Sequence, residues 1–121
     1  MPKHFFFDLD NTLTRSRSHI APEHAVILQK LASIADVSVV NGGRKEKTEK
    51  QLDPEMHGHY YVLAQNGNEA FHRNGTELWL RRPTTEQKTA ILALIEKMKS
   101  HLALAVVNEN DLVEDRGCSI A

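Results

Sequence analysis

Apolar and polar residues alternate along the chain in short blocks, and the spacing within each block predicts strands and helices in turn. Three consecutive Phe residues at positions 5–7 predict a strand buried on both faces, as at the centre of a parallel sheet. Pro22-Glu23 suits the first turn of a helix. The apolar residues that follow have helical spacing, and they are Ile27, Leu28, Leu31, Ile34 and Ala35. A second strand over 37–40 completes a β-α-β unit with two parallel strands.

The next blocks predict a short helix, a third strand and a hairpin. We expect a polar helix from Lys45 to Leu52 and a strand over 60–64. Farther on, the segments 70–72 and 78–80 flank Asn74-Gly75, a dipeptide that favours tight hairpin turns because it tolerates positive φ. We therefore assign Asn74-Gly75 to structure and not to chemistry.

The last part of the chain begins with a helix start signal. Thr84 and Gln87 have the spacing of a capping box, in which each residue's side chain bonds to the other's backbone. The helix that follows should bury one apolar stripe, formed by Ile91, Leu94, Ile95, Met98 and Leu102. Beyond it we expect a strand over 103–107, a turn at 108–110, and strands over 112–120 joined at Arg116-Gly117.

The first predicted strand ends in two carboxylates, Asp8 and Asp10, one residue apart. In open α/β sheets, ligands bind in the crevice at the carboxyl ends of the strands. Two acids that face the same way repel each other unless a cation lies between them or one is protonated. A calcium loop is excluded, because the EF-hand pattern requires Gly and Glu where this chain has Leu13 and His19. The pair therefore indicates a chemical role more than a plain turn.

The stretch Phe7-Asp8-Leu9-Asp10-Asn11-Thr12-Leu13-Thr14 resembles the first motif of the haloacid dehalogenase superfamily of phosphotransferases, and every defined position matches. The resemblance implies that Asp8 is the nucleophile that forms an aspartyl-phosphate and that Asp10 is the general acid and base. It also implies that Asp8 and Asp10 bind Mg²⁺, which offsets the repulsion between a carboxylate and a phosphate ester. Leu9, between them, is expected to contribute to phosphate binding.

Asn41-Gly42-Gly43-Arg44 follows the second predicted strand, where the superfamily usually places a Ser or Thr followed by Gly. The expected hydroxyl position is occupied here by Asn41, whose amide NH₂ can donate to a phosphate oxygen. Gly42 would let the backbone approach the phosphate, and Arg44 would add positive charge. A plain Asn-Gly turn is the alternative interpretation.

The segment from Gln65 to Ala70 resembles the exit from the core in the subgroup with a large α/β cap, which includes sugar-phosphate phosphatases and phosphomannomutases. Within it, Asn66 is a candidate substrate-binding residue. The expected fold is therefore an α/β, Rossmann-like core, with a parallel sheet and flanking helices, over residues 1–67. Residues 68–121 are expected to form the first half of an α+β cap.

Two later motifs of the superfamily are expected beyond Ala121: a Lys or Arg that neutralises the phosphate, and an acidic pair that completes the Mg²⁺ site. The chain is accordingly expected to be truncated. In the alternative interpretation, Lys88, Asp111 and Asp115 take these roles in a minimal enzyme without a cap. That alternative is disfavoured because Lys88 falls inside the capped amphipathic helix.

Composition narrows the possible functions only slightly. The chain has 121 residues, of which 40% are hydrophobic, a net charge of −1 and one cysteine, Cys118. We expect no nucleic-acid partner, because no long basic run appears. We expect no membrane segment, because the apolar runs are short, and the lone cysteine suits the cytoplasm.

The resemblance to the haloacid dehalogenase superfamily implies a Mg²⁺-dependent phosphatase that acts on a small phosphate ester through an aspartyl-phosphate intermediate. The sugar phosphate expected as its substrate is implied by the resemblance alone. The chain alone is expected to have low activity. The alternatives are a phosphomutase of the same superfamily or a non-catalytic module for phosphate binding and assembly. A truncated chain would leave sheet edges and apolar faces uncovered, which predicts self-association.

Overall fold

Five strands form one mixed sheet in the computed structural model, which describes residues 3–102 and 113–120. They are β1 (His4–Asp8), β2 (Asp36–Val40), β3 (Tyr61–Ala64), β4 (Glu69–Phe71) and β5 (Glu77–Leu80), and they lie in that order. The first three strands are parallel, whereas β4 runs antiparallel to β3 and β5 antiparallel to β4. The predicted α/β fold class and the β-α-β unit are confirmed.

The first two helices connect the parallel strands. Helix α1 (Pro22–Ala32) begins at the predicted proline, and helix α2 (Lys45–Gln51) follows the loop after β2. The inner face of α1 buries Ala25 and Leu28, which are one turn apart. Ile27 and Ile34 belong to the stripe predicted for this helix but are 65% and 83% exposed, so only part of that stripe faces the core.

The hydrophobic core lies on one face of the sheet. The alternate residues of β2 and β3 that point to this face are Val37, Val39, Val62 and Ala64. Buried residues of α1, together with Leu52 and Met56 from the segment at and after the end of α2, complete the cluster. Both helices therefore cover the same face, and the carboxyl ends of the strands stay open beside them.

The predicted burial of the three Phe residues on both faces is wrong. In the described part of the chain β1 is an edge strand that pairs only with β2, and Phe5 and Phe6 are 38% and 62% exposed. Side chains alternate along a strand, so Phe7 packs against the core cluster while Phe6 points to the opposite face. A run of apolar residues is compatible with burial on both faces of a strand. Whether both faces are buried depends on what packs against them.

The predicted hairpin is confirmed and extends the same sheet. Its turn is closed by the N–H of Gly75, which donates to the carbonyl of His72 at 2.8 Å, and by that of His72, which donates to Thr76 at 2.8 Å. The chain divides into two compact units, Met1–Arg81 and Arg82–Ala121. The hairpin thus belongs to the unit of the parallel strands, and the assignment of residues 68–121 to a cap stays a prediction.

The second unit contains helix α3 (Thr85–Leu102). Its capping box is confirmed: the N–H of Thr84 donates to Gln87 Oε1 at 2.9 Å, and the N–H of Gln87 donates to Thr84 Oγ1 at 3.1 Å. The predicted burial of its apolar stripe is wrong, because no residue of α3 is buried among the described residues. Periodicity identified the apolar side, but the unit provides no described element that covers it.

The end of the second unit forms a tight turn. Asp115 and Ile120 make an isolated antiparallel bridge, and Gly117 has a φ of +94° between them. The predicted reversal at Arg116-Gly117 is therefore present, although the flanking strands are reduced to this single bridge. The strand expected over 103–107 and the turn at 108–110 lie outside the described residues.

We expect Gly75→Ala to destabilise the first unit by about 1 kcal/mol, because Gly75 has a φ of +88° and an added Cβ would meet no atom within 4 Å. The cost would arise from backbone strain alone. The Gly75→Asn variant is the matched control, since Asn adopts positive φ more readily and should lose less stability. Urea unfolding measures both, and equal losses would contradict the explanation.

Candidate functional site

The carboxyl ends of β1, β2 and β3 meet at one edge of the sheet. The register pairs Asp8 with Val40 and Val40 with Leu63. We call residues 41–44, after β2, the second loop and residues 65–68, after β3, the third loop. The N–H of Asn66 donates to the carbonyl of Asn41 at 2.9 Å, and this hydrogen bond joins the two loops. The loops that carry the predicted site residues are therefore adjacent, as the sequence predicted.

The loop after β1 folds around the backbone carbonyl of Leu9. That oxygen accepts from the N–H groups of Leu13 and Thr14 at 3.1 Å each and from the Thr14 hydroxyl at 3.3 Å. The turn brings Asn11 to a φ of +61°, a conformation that Asn tolerates better than most residues. The motif residues from 9 to 14 thus form a compact loop that fixes the backbone on either side of Asp10.

Asp10 is held by three donors from two segments, helix α2 and the loop after β1. Lys47 Nζ donates to its Oδ2 at 2.5 Å, and Oδ1 accepts from Gln51 Nε2 at 3.0 Å and from the N–H of Arg17 at 3.1 Å. The Lys47 and Gln51 bonds lower the pKa of the Asp10 carboxyl to about 2, against a smaller opposing effect of burial. Asp10 is therefore a carboxylate at neutral pH in this structure.

Asp8 has a different environment from Asp10. It is exposed at the last position of β1, and its carboxylate makes no hydrogen bond or ion pair within residues 3–102 and 113–120. A nucleophile must reach its target, and an unpaired carboxylate can do so without breaking an existing contact. The two acids of the motif are thus distinguished by their partners: one is held and the other is available.

Leu9 lies between the two acids with its side chain completely buried in the core. Its backbone N–H donates to the carbonyl of Val40 at 3.2 Å, which continues the pairing of β1 with β2. A phosphate could take this N–H only by breaking that bond. Phosphate binding by Leu9 stays a prediction, and the described contacts give it little support.

Asn41 is 4% exposed and points into the protein beneath the second loop. Its amide nitrogen donates to the hydroxyl of Thr48 on α2, whereas its Oδ1 is buried with no hydrogen-bond partner among the described residues. A buried unsatisfied oxygen costs about 1–3 kcal/mol. Rotation of the amide by half a turn would let Thr48 donate to Oδ1 and would release the NH₂ group for another acceptor.

The side chain of Asn66 occupies the space into which a side chain at Gly42 would extend. A Cβ added to Gly42 would lie 3.3 Å from Asn66 Oδ1, so only glycine leaves the Asn66 side chain its present place without crowding. Gln65 and Asn66 have φ values of +50° and +59°, a strained conformation for two consecutive residues other than glycine. Strain of this kind is concentrated at functional sites, and here it places Asn66 beside the second loop. Arg44 is exposed at the start of α2.

Helix α2 supplies residues that sequence reasoning did not single out. Lys47 and Gln51 both bond to Asp10, Thr48 bonds to Asn41, and Gln51 Nε2 also donates to Thr14 Oγ1 at 2.9 Å. The sequence feature that could have identified these residues is their spacing. Lys47, Thr48 and Gln51 lie about one helical turn apart, shortly after Gly42 and Gly43. That signal is weak, since Lys, Thr and Gln are common on exposed helix faces.

The alternative site built on Lys88 has a simpler explanation. Lys88 Nζ lies 3.1 Å from Asp115 Oδ2, so these two residues form an ion pair within the second unit. Asp111 lies outside the described residues. Across the described ranges, no group of three or more His, Cys, Asp and Glu side chains is arranged to hold a metal ion. Among the same residues, no helix is both long and apolar enough to cross a membrane.

The chain is similar in sequence and in fold to proteins of one known family. Residues 5–117 match the family model of the haloacid dehalogenase-like hydrolases. The chain belongs to this family. Its five-stranded sheet with flanking helices is the Rossmann-like core of haloacid dehalogenase proteins, since the chain is similar in fold to a haloacid dehalogenase-like hydrolase from B. subtilis. That structure has a TM-score of 0.68 and 19% identity, over 80% of this chain and 34% of the other.

Other relatives of this haloacid dehalogenase family member include two curated phosphomannomutases. The chain is 42% identical over 64 residues to phosphomannomutase 1 of Mus musculus and 36% identical over 73 residues to the phosphomannomutase of Spinacia oleracea. These alignments cover 50% and 60% of this chain. The chain spans only 24% and 29% of the length of these two relatives.

The Plasmodium falciparum IMP-nucleotidase is a further structural neighbour of this haloacid dehalogenase protein. It has a TM-score of 0.64 and 16% identity, over 98% of this chain and 38% of its own. At such identity the likeness concerns the fold alone. The chain therefore spans about a third of the length of the solved structures named here.

Asp10 should stabilise the fold at neutral pH and lose that contribution in acid. Folding lowers its pKa from 3.8 to about 2, so between these values the unfolded chain binds a proton that the folded chain does not. The free energy of unfolding, compared with that of Asp10→Asn, should fall by about 1 kcal/mol as pH drops through this range. Urea titrations in EDTA measure this difference.

The Lys47→Met variant is the control for that pH dependence. The hydrogen bond from Lys47 is the largest cause of the lowered pKa of Asp10. In Lys47→Met, the free energy of unfolding should therefore lose much less of the contribution of Asp10 as the pH falls. If the difference in free energy of unfolding between the unmodified chain and Asp10→Asn does not change with pH, the lowered pKa of Asp10 is contradicted.

Proposed function

We propose that this haloacid dehalogenase family member is a phosphatase that acts on a small phosphate ester through an aspartyl-phosphate on Asp8. The observation that carries the proposal is the unpartnered carboxylate of Asp8 at the end of β1, beside an Asp10 held by three donors. A carboxylate oxygen of Asp8 forms a bond to phosphorus as the bond to the alcohol oxygen breaks. Water then attacks the phosphorus and releases Asp8 and phosphate.

Asp10 is proposed as the general acid and base of these two steps. As a carboxylate it is already in the form that accepts a proton from the attacking water in the second step. Protonation of the leaving alcohol in the first step requires Asp10 to carry a proton. Its hydrogen bonds to Lys47 and Gln51 must weaken before it can do so.

The donor set at the strand ends fits a hard divalent cation such as Mg²⁺. Asp8 offers an unpartnered carboxylate, and Mg²⁺ is commonly bound by one or two carboxylates together with water and substrate phosphate. Asp10 would be the second ligand. When bound, Mg²⁺ would neutralise the charge on the phosphoryl group and on the attacking carboxylate.

Phosphate binding is assigned to the second and third loops. The Asn66 side chain lies beside Gly42. The amide of Asn41 becomes a donor to phosphate if it turns over, so that Thr48 donates to its Oδ1 and its NH₂ group is released. Arg44, exposed at the start of α2, adds positive charge at the same loop. Asn66 is proposed to contact the substrate beyond the phosphate.

A sugar phosphate is the proposed substrate, and a phosphomutase is the second candidate function. The observation that favours the mutase is the similarity of half of the chain to phosphomannomutases of Mus musculus and Homo sapiens, at 42% and 44% identity. Both activities begin with phosphoryl transfer to the first Asp of the motif. Since the chain spans only 24% of these relatives, activity of the whole enzyme is part of the proposal.

The role of Asp8 can be tested with beryllofluoride, which mimics a phosphoryl group on a carboxylate. In the presence of Mg²⁺, the chain should trap beryllofluoride, and fluorine NMR should detect the bound species. Asp8→Asn should abolish trapping because the amide lacks the nucleophilic oxygen charge. The matched control is Asp53→Asn, which alters an acid that pairs with His19 and stands outside the site.

Trapping by Asp8→Asn at the level of the unmodified chain would reject Asp8 as the nucleophile. No trapping by any form of the chain would favour the non-catalytic module over the phosphatase.

We also propose that two copies of the chain associate through β1. In the described part of the chain no strand pairs with the outer edge of β1, and the exposed Phe5 and Phe6 lie on it. A second copy of the same edge supplies both the missing backbone partners and apolar side chains.

Sedimentation analysis tests this association. The apparent mass should rise with concentration, and Phe6→Lys should keep the chain monomeric, since a charge on the edge opposes strand pairing. Leu78→Lys, on the opposite edge strand β5, is the control and should associate as before. Leu78 is 48% exposed, so the two changes are comparable in accessibility. A monomer at all concentrations would exclude the proposal.

A further inference from the structure

Lys47 lies beside the catalytic acids of the proposed phosphotransferase, although it belongs to no part of the motif. Lys47 is the third residue of α2, and its Nζ atom donates to Asp10 Oδ2 at 2.5 Å. Gln51, one helical turn later, donates to Asp10 Oδ1 at 3.0 Å. One side of α2 therefore contacts both oxygens of the acid that stands two residues after Asp8.

The path of the Lys47 side chain depends on Gly43. A Cβ built on Gly43 would lie 2.9 Å from Lys47 Cδ and 3.6 Å from Lys47 Cβ. The first distance is shorter than real Cβ contacts, so any side chain at this position would push the lysine stem aside. The second glycine of the loop thus provides the space through which Lys47 reaches the strand ends.

The ammonium group of Lys47 has donors to spare. A lysine ammonium carries three N–H groups, and within residues 3–102 and 113–120 Asp10 is its recorded partner. The Lys47 side chain is 34% exposed, so an incoming ligand can approach it. A phosphoryl dianion carries more negative charge than a carboxylate and attracts the ammonium more strongly at equal distance.

Asp10 keeps its position without Lys47. Its Oδ1 atom accepts from Gln51 Nε2 and from the N–H of Arg17, and Gln51 is itself anchored to the Thr14 hydroxyl. The loss of the ammonium would therefore free Oδ2 and leave the other oxygen fixed. This division of contacts distinguishes Lys47, which has one partner, from Gln51, whose amide is anchored at two points.

Lys45 and Lys88 pair with acids outside the motif, and neither contacts Asp8 or Asp10 among the described residues. Lys45 Nζ lies 3.2 Å from Glu49 and 4.6 Å from the centre of the Phe71 ring. Lys88 forms its ion pair with Asp115 in the second unit. Lys47 is thus the lysine that contacts an acid of the motif.

We propose that Lys47 exchanges Asp10 for a phosphoryl oxygen when a phosphate ester enters the site, and so neutralises the group being transferred. The role rests on the proposed phosphotransferase function and adds a cation on α2 that balances part of the phosphate charge, besides the Lys or Arg expected from the later superfamily motif. No proton moves to or from Lys47, since the ammonium stays charged throughout. The bond from Asp8 to phosphorus forms, and the bond from phosphorus to the alcohol oxygen breaks, as before.

The test measures the affinity of the chain for beryllofluoride in the presence of Mg²⁺, by titration followed with fluorine NMR. Lys47→Met should weaken binding by about 10- to 100-fold, the usual value of a hydrogen bond to a charged group. Lys47→Arg should bind about tenfold more tightly than Lys47→Met, because the charge is retained. Gly43→Ala should also weaken binding, because it displaces the Lys47 stem without changing the charge. Its added Cβ would also lie 3.2 Å from Asn41 Oδ1, so the part of the loss that is due to Lys47 is the part that disappears when Gly43→Ala is combined with Lys47→Met.

Lys45→Met is the matched control, since it removes a lysine of the same helix whose ammonium pairs with Glu49. It should bind beryllofluoride as the unmodified chain does. Equal affinity of Lys47→Met and the unmodified chain would overturn the role of Lys47 and leave the proposed function standing. Absence of trapping by the unmodified chain would overturn the proposed function and this role with it.

Circular dichroism checks that each variant is folded. If Lys47→Met does not fold, the affinities of Gly43→Ala and Lys47→Arg for beryllofluoride test the role of Lys47. Unaltered affinity in folded Gly43→Ala would overturn the proposal, and a loss there with near-normal affinity in Lys47→Arg would support it.

Discussion

The parallel register of β1, β2 and β3 is the constraint on which the candidate site depends. It sets Asp8 level with Val40 and Val40 level with Leu63, so the three loops begin at the same edge of the sheet. Backbone hydrogen bonds between the second and third loops then fix their spacing. A shift of one residue in either pairing would turn alternate side chains to the other face and would separate Asp8 from the glycine loop.

Sequence alone predicted the parts of this arrangement that have a local cause. The β-α-β unit, the Thr84 capping box and the Asn74-Gly75 turn each depend on residues a few positions apart, and all three are confirmed. The positions of Asp8 and Asn41 followed from the rule that parallel strands end together. The sequence could not show that Asp10 is tied to α2, because residues 37 and 41 positions away make those contacts.

The wrong predictions share a physical cause. Phe5 and Phe6 in β1 and the stripe of α3 were expected to be buried because their spacing is apolar and regular. Spacing determines which side chains share a face, but burial also requires a second surface against that face. In the described residues β1 lies at an edge and α3 buries none of its own residues. Hydrophobic patterns therefore predicted elements more reliably than contacts.

Trp79 gives this site an internal optical probe. It is the single tryptophan of the chain, and its indole Nε1 donates to the carbonyl of Gly67 at 2.9 Å. Gly67 directly follows Gln65 and Asn66, the two residues with positive φ that bring the third loop to Gly42. Because indole emission responds to hydrogen bonding and to solvent, the natural fluorescence of the chain reports on the loop that borders the proposed phosphate site, with no label attached.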